Sequence, residues 1–182
     1  MSGFQLFILA LVQGITEFLP ISSSAHLVLA GPVFGWPDQG LVIDVAVHVG
    51  TLAAVLVYFA ASFWTALRGG LALLRGRWTD EARLAAWLIL ATIPVILVGA
   101  ALSLADATDA LRDARLIAAT TIVFGIALWC ADRWAPAERD LSAMGWRGAL
   151  VVGLAQTLAL LPGTSRSGIT MTAGRALGFS RV

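Results

Sequence analysis

Residues 13 to 26 read QGITEFLPISSSAH. One carboxylate, three consecutive serines and an imidazole fall within ten positions, from Glu17 to His26, around Pro20. A carboxylate, hydroxyls and an imidazole can serve as base, nucleophile and acid. Histidine is also the side chain best suited to exchange protons near neutral pH. Gln13 lies four residues before Glu17 and shares its helical face. Alone, Gln13 is an ordinary interhelical hydrogen-bonder. Ser22, Ser23 and Ser24 have a plainer reading as the cap of a following helix. Glu17 has one too, at the interface or paired with an arginine.

A second polar segment follows far along the chain, PGTSRSG at 162 to 168. Arg166 stands between Ser165 and Ser167, with Thr170 four residues on. A planar guanidinium holds two phosphate oxygens at once, so this group suits a phosphate. The plain alternative is an arginine in a water-exposed loop, or one paired with Glu17. Asp44 and His48, at i and i+4, could hold a metal or relay protons. Without further ligands, structural pairing is the preferred reading there.

These polar residues interrupt a very apolar chain. Of 182 residues 59% are hydrophobic and 13% charged, against about 25% charged in soluble domains. Seven tryptophans lie mostly near the ends of apolar runs, as interfacial anchors do. The class is an all-α, polytopic integral membrane protein. A net charge of +1 identifies no partner; the membrane is expected as one, nucleic acid is not, and a homodimer is an open expectation. The single cysteine, Cys130, excludes an internal disulfide and has no metal-ligand spacing around it. The start, MSGFQLFILALVQ, is not read as a signal peptide. It lacks a basic n-region and runs on into TEFLPISSS.

Five hydrophobic stretches must position the polar groups: 3–35, broken at Pro20, then 41–62, 85–105, 114–131 and 148–162. Gly50, Gly99 and Gly125 are expected to permit close helix packing. The connections 63–84 and 132–147 carry arginines, whereas 106–113 is mainly acidic. Positive residues favour the cytoplasmic side. Hence 63–84 and 132–147 are placed inside, and 106–113 and both polar breaks toward the outside.

The two breaks look alike. LVQGITEFLPISSSA (11–25) and LAQTLALLPGTSRSG (154–168) each run Leu-x-Gln, apolar stretch, Leu-Pro, hydroxyl-rich run. Proline followed by small polar residues breaks a helix. Within a bilayer the freed backbone groups need partners inside protein or water. Broken helices in matched positions of two halves point to a polar site at their interface. Helix N-termini there suit an anion. Residues 4–19 as a helix reach only about 24 Å, short of the roughly 30 Å hydrocarbon core. The first break is therefore expected to be re-entrant. The expected organisation is one membrane domain over 1–182 in an inverted-repeat arrangement. Residues 1–105 form the first half, with motif 13–26. Residues 114–182 form a partial second half, with motif 162–168.

These motifs resemble those of the bacterial undecaprenyl-diphosphate phosphatase family, often called the bacitracin-resistance protein family. Its first motif has the form E/Q-x-x-x-E-F-L-P-[IV]-S-S-[ST]-x-H, matched at every defined position by QGITEFLPISSSAH. Its second, P-G-x-S-R-S-G, is matched by PGTSRSG, and IDVAVHVGTLAAVLVYF (43–59) resembles a further stretch. The resemblance implies hydrolysis of undecaprenyl diphosphate to monophosphate and phosphate on the outer face of the bacterial inner membrane. This would recycle the cell-wall lipid carrier. Glu17 and His26 would handle protons, with Ser23 or an activated water as nucleophile. Arg166, Ser165 and Ser167 would clamp the phosphates, with Ser22 and Thr170 beside them. Gln13 would orient Glu17 or hold a ligand. A divalent cation, Mg²⁺ or Ca²⁺, is implied as cofactor, with Glu17 as its protein ligand. Family members continue beyond the second motif, so an incomplete second repeat is expected here. The competing readings are a lipid-phosphate flippase, which would use the same arginine and hydroxyls, and an inactive fragment.

Overall fold

The computed structural model describes residues 1–105 and 113–181. The rest of the acidic connection, 106–112, lies outside the described residues. Eight α-helices follow in order among the described residues: α1 Gly3–Phe18, α2 Ser23–Phe34, α3 Gly40–Tyr58, α4 Ala60–Leu74, α5 Asp80–Leu104, α6 Ala114–Trp134, α7 Trp146–Thr157 and α8 Arg166–Ala176. No strand occurs among them; Arg139 and Phe179 form an isolated bridge. Three helices, α3, α5 and α6, are long and apolar enough to cross a membrane. The chain is thus an all-α polytopic membrane protein.

Local chemistry sets the first break. Ser2 and Gln5 form a reciprocal capping box that starts α1. Leu19, forced out of the helical region by Pro20, is extended at φ −99°, ψ 151° and ends it. Ser22 takes a left-handed conformation, φ 48°, and α2 starts at Ser23. Leu9 of α1 packs with Leu27 and Ala30 of α2, and Ile43 and Val47 of α3 cover this cluster. Leu9 and Leu27 would be about 27 Å apart along a continuous helix. Their contact requires the chain to reverse at Pro20, so α1 and α2 form a helical hairpin.

The second break is built the same way. A 3-10 turn, Leu158–Leu160, extends α7, and Leu161 before Pro162 is extended. Gly163 sits at φ 90°, where a Cβ would overlap Thr120 and the Ile117 carbonyl. The Thr120 and Thr121 hydroxyls of α6 donate to the carbonyls of Pro162 and Gly163 at 2.5 and 3.2 Å. A break surrounded by apolar helices thereby has its carbonyls satisfied inside the protein. Ser165 caps α8 through a 3.2 Å bond from Gly168 N to its hydroxyl.

Two elements differ from the expectation. Most of the charged connection 63–84 is helical: a single residue, Phe59, separates α3 from α4. Helical bonds from Phe59 N to Val55 O and from Phe63 N to Phe59 O run through the joint. Alanine and leucine favour helix there, and the α5 surface gives α4 a packing partner. The close helix approaches also fall elsewhere than expected. Gly50 and Gly125 face open space, and Gly99 meets only Leu160 at ordinary distance. The tight contacts are at Gly69, where a Cβ would overlap the Glu81 carbonyl, and at Gly153, where it would lie 2.6 Å from the Ala91 carbonyl. Small residues are indispensable where two backbones meet, and spacing within one helix does not reveal where that is.

The α5–α7 seam holds the first arm of the second hairpin against the rest of the protein. Gly153→Ala is expected to destabilise the protein by about 1–3 kcal/mol through forced separation of α5 and α7. Gly125→Ala should leave stability unchanged or slightly raised. Thermal unfolding in detergent checks both, and an undisturbed midpoint for Gly153→Ala would refute the tight seam.

Candidate active site

The two hairpins meet at their turns. A Cβ built at Gly168, one turn into α8, would stand 3.4 Å from the Pro20 carbonyl. Between the turns lies a cleft of about 600 Å³, lined from the first hairpin by Thr16, Glu17, Leu19 and Ser22 to Ser24. Thr164 to Ser167, with Thr170, line it from the second, and His48 reaches it from α3.

The acidic wall is built around one carboxylate oxygen. Gln13 is wholly buried, and its Nε2 donates to Glu17 Oε2 at 3.1 Å and to Thr51 Oγ1 at 3.3 Å. The Ser23 hydroxyl donates to the same Oε2. Among the described residues Glu17 Oε1 accepts no hydrogen bond. Gln13 lies behind Glu17 rather than in the lining, and holds the carboxylate in place. The three serines do not cap α2: Ser22 makes no side-chain cap bond, Ser22 and Ser24 hydroxyls share a 3.3 Å bond, and Ser23 turns to Glu17.

The cationic wall is the start of α8. Ser165 and Ser167 hydroxyls share a 3.1 Å bond. Thr170 bonds back to the Arg166 and Ser167 carbonyls. Arg166 is exposed and forms no ion pair among the described residues. Structural pairing of Glu17 with Arg166 is therefore not what the cleft contains. Among the described residues, no hydrogen bond engages the backbone N–H groups of Arg166 and Ser167. Free N–H groups at a helix N-terminus, the helix dipole and a guanidinium together favour an anion.

The two histidines are placed differently from the sequence expectation. His26 is exposed and does not line the cleft; its Nδ1 donates to the Ser22 carbonyl at 2.9 Å. His48 does line it, with Nε2 4.0 Å from Glu17 Oε2. Its Nδ1 lies 2.7 Å from the Asp44 carbonyl. A carbonyl only accepts, so Nδ1 carries a proton and Nε2 faces the carboxylate. The Asp44–His48 pairing thus runs through backbone, while Asp44 Oδ1 accepts from Gln39. The i, i+4 spacing signalled this pair. That His48 lies opposite Glu17 could be read only from the way α3 packs on α1.

Arg175 was not singled out in the sequence, yet it anchors α8. It is 6% exposed, and its guanidinium donates to Asp132 Oδ1 and to the carbonyls of Asp132, Ala135, Pro136 and Phe179. Arg181 reinforces the link through a 2.6 Å bond to Asp132 Oδ1. The far end of α8 is thus tied to the end of α6, and its near end presents Arg166.

Among the described residues no three histidine, cysteine, aspartate or glutamate side chains cluster to form a metal cage. What the cleft offers a cation is the Glu17 carboxylate oxygen; behind it, the buried Gln13 Oε1 has no partner among the described residues. That carboxylate fits a hard divalent ion that brings most of its ligands with a phosphate.

A carboxylate bonded to a serine hydroxyl faces an unpaired arginine on a helix N-terminus, inside an apolar helical protein. The family model of the bacitracin resistance protein BacA matches residues 6–182, so the chain belongs to that family.

Proposed function

We propose that the protein is a membrane phosphatase that hydrolyses undecaprenyl diphosphate to undecaprenyl phosphate and inorganic phosphate. The observation that carries this reading is the Ser23–Glu17 hydrogen bond in the same cleft as the unpaired Arg166. Family membership supports it, since the resemblance to the bacitracin-resistance family implies conversion of the lipid carrier's diphosphate to a monophosphate. The cleft is taken to face the outside of the bacterial inner membrane, consistent with arginine-rich connections at 63–84 and 132–147 on the cytoplasmic side.

In the proposed reaction the terminal phosphate binds Arg166, the free N–H groups of Arg166 and Ser167, and the hydroxyls of Ser165 and Ser167. Thr170 and Ser22 complete the rim. These donors hold the charge that develops on the equatorial oxygens, and fixed donors need no reorganisation at that moment. Ser23 Oγ attacks the terminal phosphorus and gives its proton to Glu17. The bond from phosphorus to the bridging oxygen breaks, and undecaprenyl phosphate leaves. Glu17 releases its proton to solvent; water then attacks the phosphoserine and gives a proton to Glu17, which passes it to Ser23 Oγ as phosphate leaves. Direct attack by a water that Glu17 deprotonates gives the same products. The Ser23–Glu17 bond supports the serine route. His48 Nε2, facing Glu17, is the imidazole best positioned to relay protons. His26 supports the turn through Ser22. A divalent cation, if Glu17 holds one beside the substrate, would supply charge neutralisation of the diphosphate.

A lipid-phosphate carrier would need the anion contacts, but a serine hydroxyl pointed at a carboxylate is surplus to it.

Glu17→Gln and Arg166→Ala are each expected to lower phosphate release from a polyprenyl diphosphate by about 10²–10⁴-fold. Near-parental turnover in either variant removes that residue from the chemistry. Phosphate-free lipid translocation in vesicles would instead support the carrier. Acid quench during turnover should trap phosphate on Ser23, and recovery of none would leave water as the nucleophile.

The histidines are separable. His48→Ala should reduce kcat by about 10²-fold or more, with His26→Ala milder and expressed partly in stability. The reverse order in single-turnover rates would return the proton role to His26.

Removal of divalent ions by a chelator should abolish turnover, and adding back Mg²⁺ or Ca²⁺ should restore it. Full activity in chelator would eliminate the cation.

A further inference from the structure

Three side-chain polar atoms are buried without a hydrogen-bond partner among the described residues: Gln13 Oε1, Trp87 Nε1 and Thr164 Oγ1. Gln13 lies behind Glu17, and Trp87 borders a separate hollow with Met144 and Ala149. Of the three, Thr164 is the one that lines the cleft. It is 4% exposed and fills the undefined position of the motif P-G-x-S-R-S-G. A buried hydroxyl with no partner destabilises the protein that carries it, and valine has the same shape without that loss. The repeat sharpens the contrast. Thr164 stands two residues after Pro162, as Ser22 stands two after Pro20. Ser22 is buried to the same degree and lines the same cleft, but its hydroxyl shares a bond with Ser24. The matching hydroxyl of Thr164, on the wall that carries Arg166, shares none. The backbone around it is fixed. Thr164 N donates to the Leu161 carbonyl at 3.1 Å, Thr121 donates to the Gly163 carbonyl, and Ser165 caps α8. Thr164 itself lies outside the helices, and a χ1 turn of about 120° exchanges Oγ1 with Cγ2 without moving that backbone.

We infer that the Thr164 hydroxyl is a hydrogen-bond donor to a phosphoryl oxygen, turned to the anion when one occupies the wall beside Arg166. The inference rests on the phosphatase reading and adds a binding residue to it. A hydroxyl has a proton to give and a phosphoryl oxygen offers lone pairs, so the two match as donor and acceptor, and the anion's charge strengthens the bond. The unmet hydrogen bond is a cost borne before binding and relieved on binding, which raises affinity. Ser22, already bonded within its own triplet, has less to gain. A fixed backbone limits the ordering that the new bond requires to one side-chain rotation.

Two substitutions separate this role from packing. Thr164→Val keeps the shape and removes the hydroxyl; Thr164→Ser keeps the hydroxyl and removes the methyl group. Binding is measured by calorimetry on the full chain in lipid nanodiscs, with two probes: inorganic phosphate and the non-hydrolysable methylenediphosphonate of a polyprenol. Thr164→Val should raise Kd for the diphosphonate by about tenfold or more. Its thermal midpoint without ligand should equal or exceed the parental one. Thr164→Ser should bind within about twofold of the parent, at a lower midpoint from lost packing. An equal loss for inorganic phosphate assigns the hydroxyl to the phosphoryl group itself, and a loss confined to the diphosphonate assigns it to the lipid head. Unchanged Kd for both probes in Thr164→Val overturns the inference. So does a lowered midpoint in that variant, which would give the hydroxyl a structural partner. Binding weakened as much by Thr164→Ser as by Thr164→Val overturns it too, because the methyl group would then be responsible. Absence of phosphate release from a polyprenyl diphosphate by the unaltered protein is a separate result. It would end the phosphatase reading, and the binding series would still decide the part of Thr164.

Discussion

Every polar feature of this protein follows from one constraint: backbone groups released at a helix break inside an apolar protein must find partners there. Pro20 and Pro162 each end a helix and force the preceding leucine into an extended conformation. At the second break the carbonyls are taken up by Thr120 and Thr121 from a neighbouring helix. The N–H groups are treated differently. The helix that follows Pro20 starts without a side-chain cap, and the one after Pro162 leaves the first two N–H groups unbonded among the described residues. Carbonyl satisfaction holds the fold, while unsatisfied donors make the site. The same accounting of backbone groups explains both.

The site keeps its charges apart. Glu17 is held by neutral donors, Gln13 and Ser23, and Arg166 by no carboxylate among the described residues. An ion pair between them would consume the capacity each has for a ligand. Arg175, nine residues further along the same helix, shows the opposite arrangement. It is buried, and five acceptors satisfy its guanidinium. A buried guanidinium must be fully bonded, because its desolvation is otherwise too costly. An exposed one in a polar cleft need not be. One helix thus carries an anchoring arginine at its end and a ligand-ready arginine at its start.

Much of this was legible along the chain. The apolar runs, the two proline breaks, and the carboxylate and arginine beside them are one-dimensional signals. Each reports what a residue requires of its surroundings. Length alone argued that residues 4–19 could not cross a bilayer, and the Leu9–Leu27 contact agrees with a reversal at Pro20. The helix over 60–74 escaped notice because its arginines read as a connection. Its packing on α5 is long-range and leaves no periodic trace in a composition so uniformly apolar.

From the sequence alone came the class, the breaks and the groups able to do chemistry, because hydropathy, proline geometry and side-chain type are local properties. The tertiary structure decided the pairings. It brought Pro20 to Gly168, turned Ser23 from capping to Glu17, and left His26 at the surface. It also set His48, thirty-one residues from Glu17, opposite the carboxylate. Such choices depend on which helix faces meet, and a residue's need for a partner does not say which distant segment supplies it.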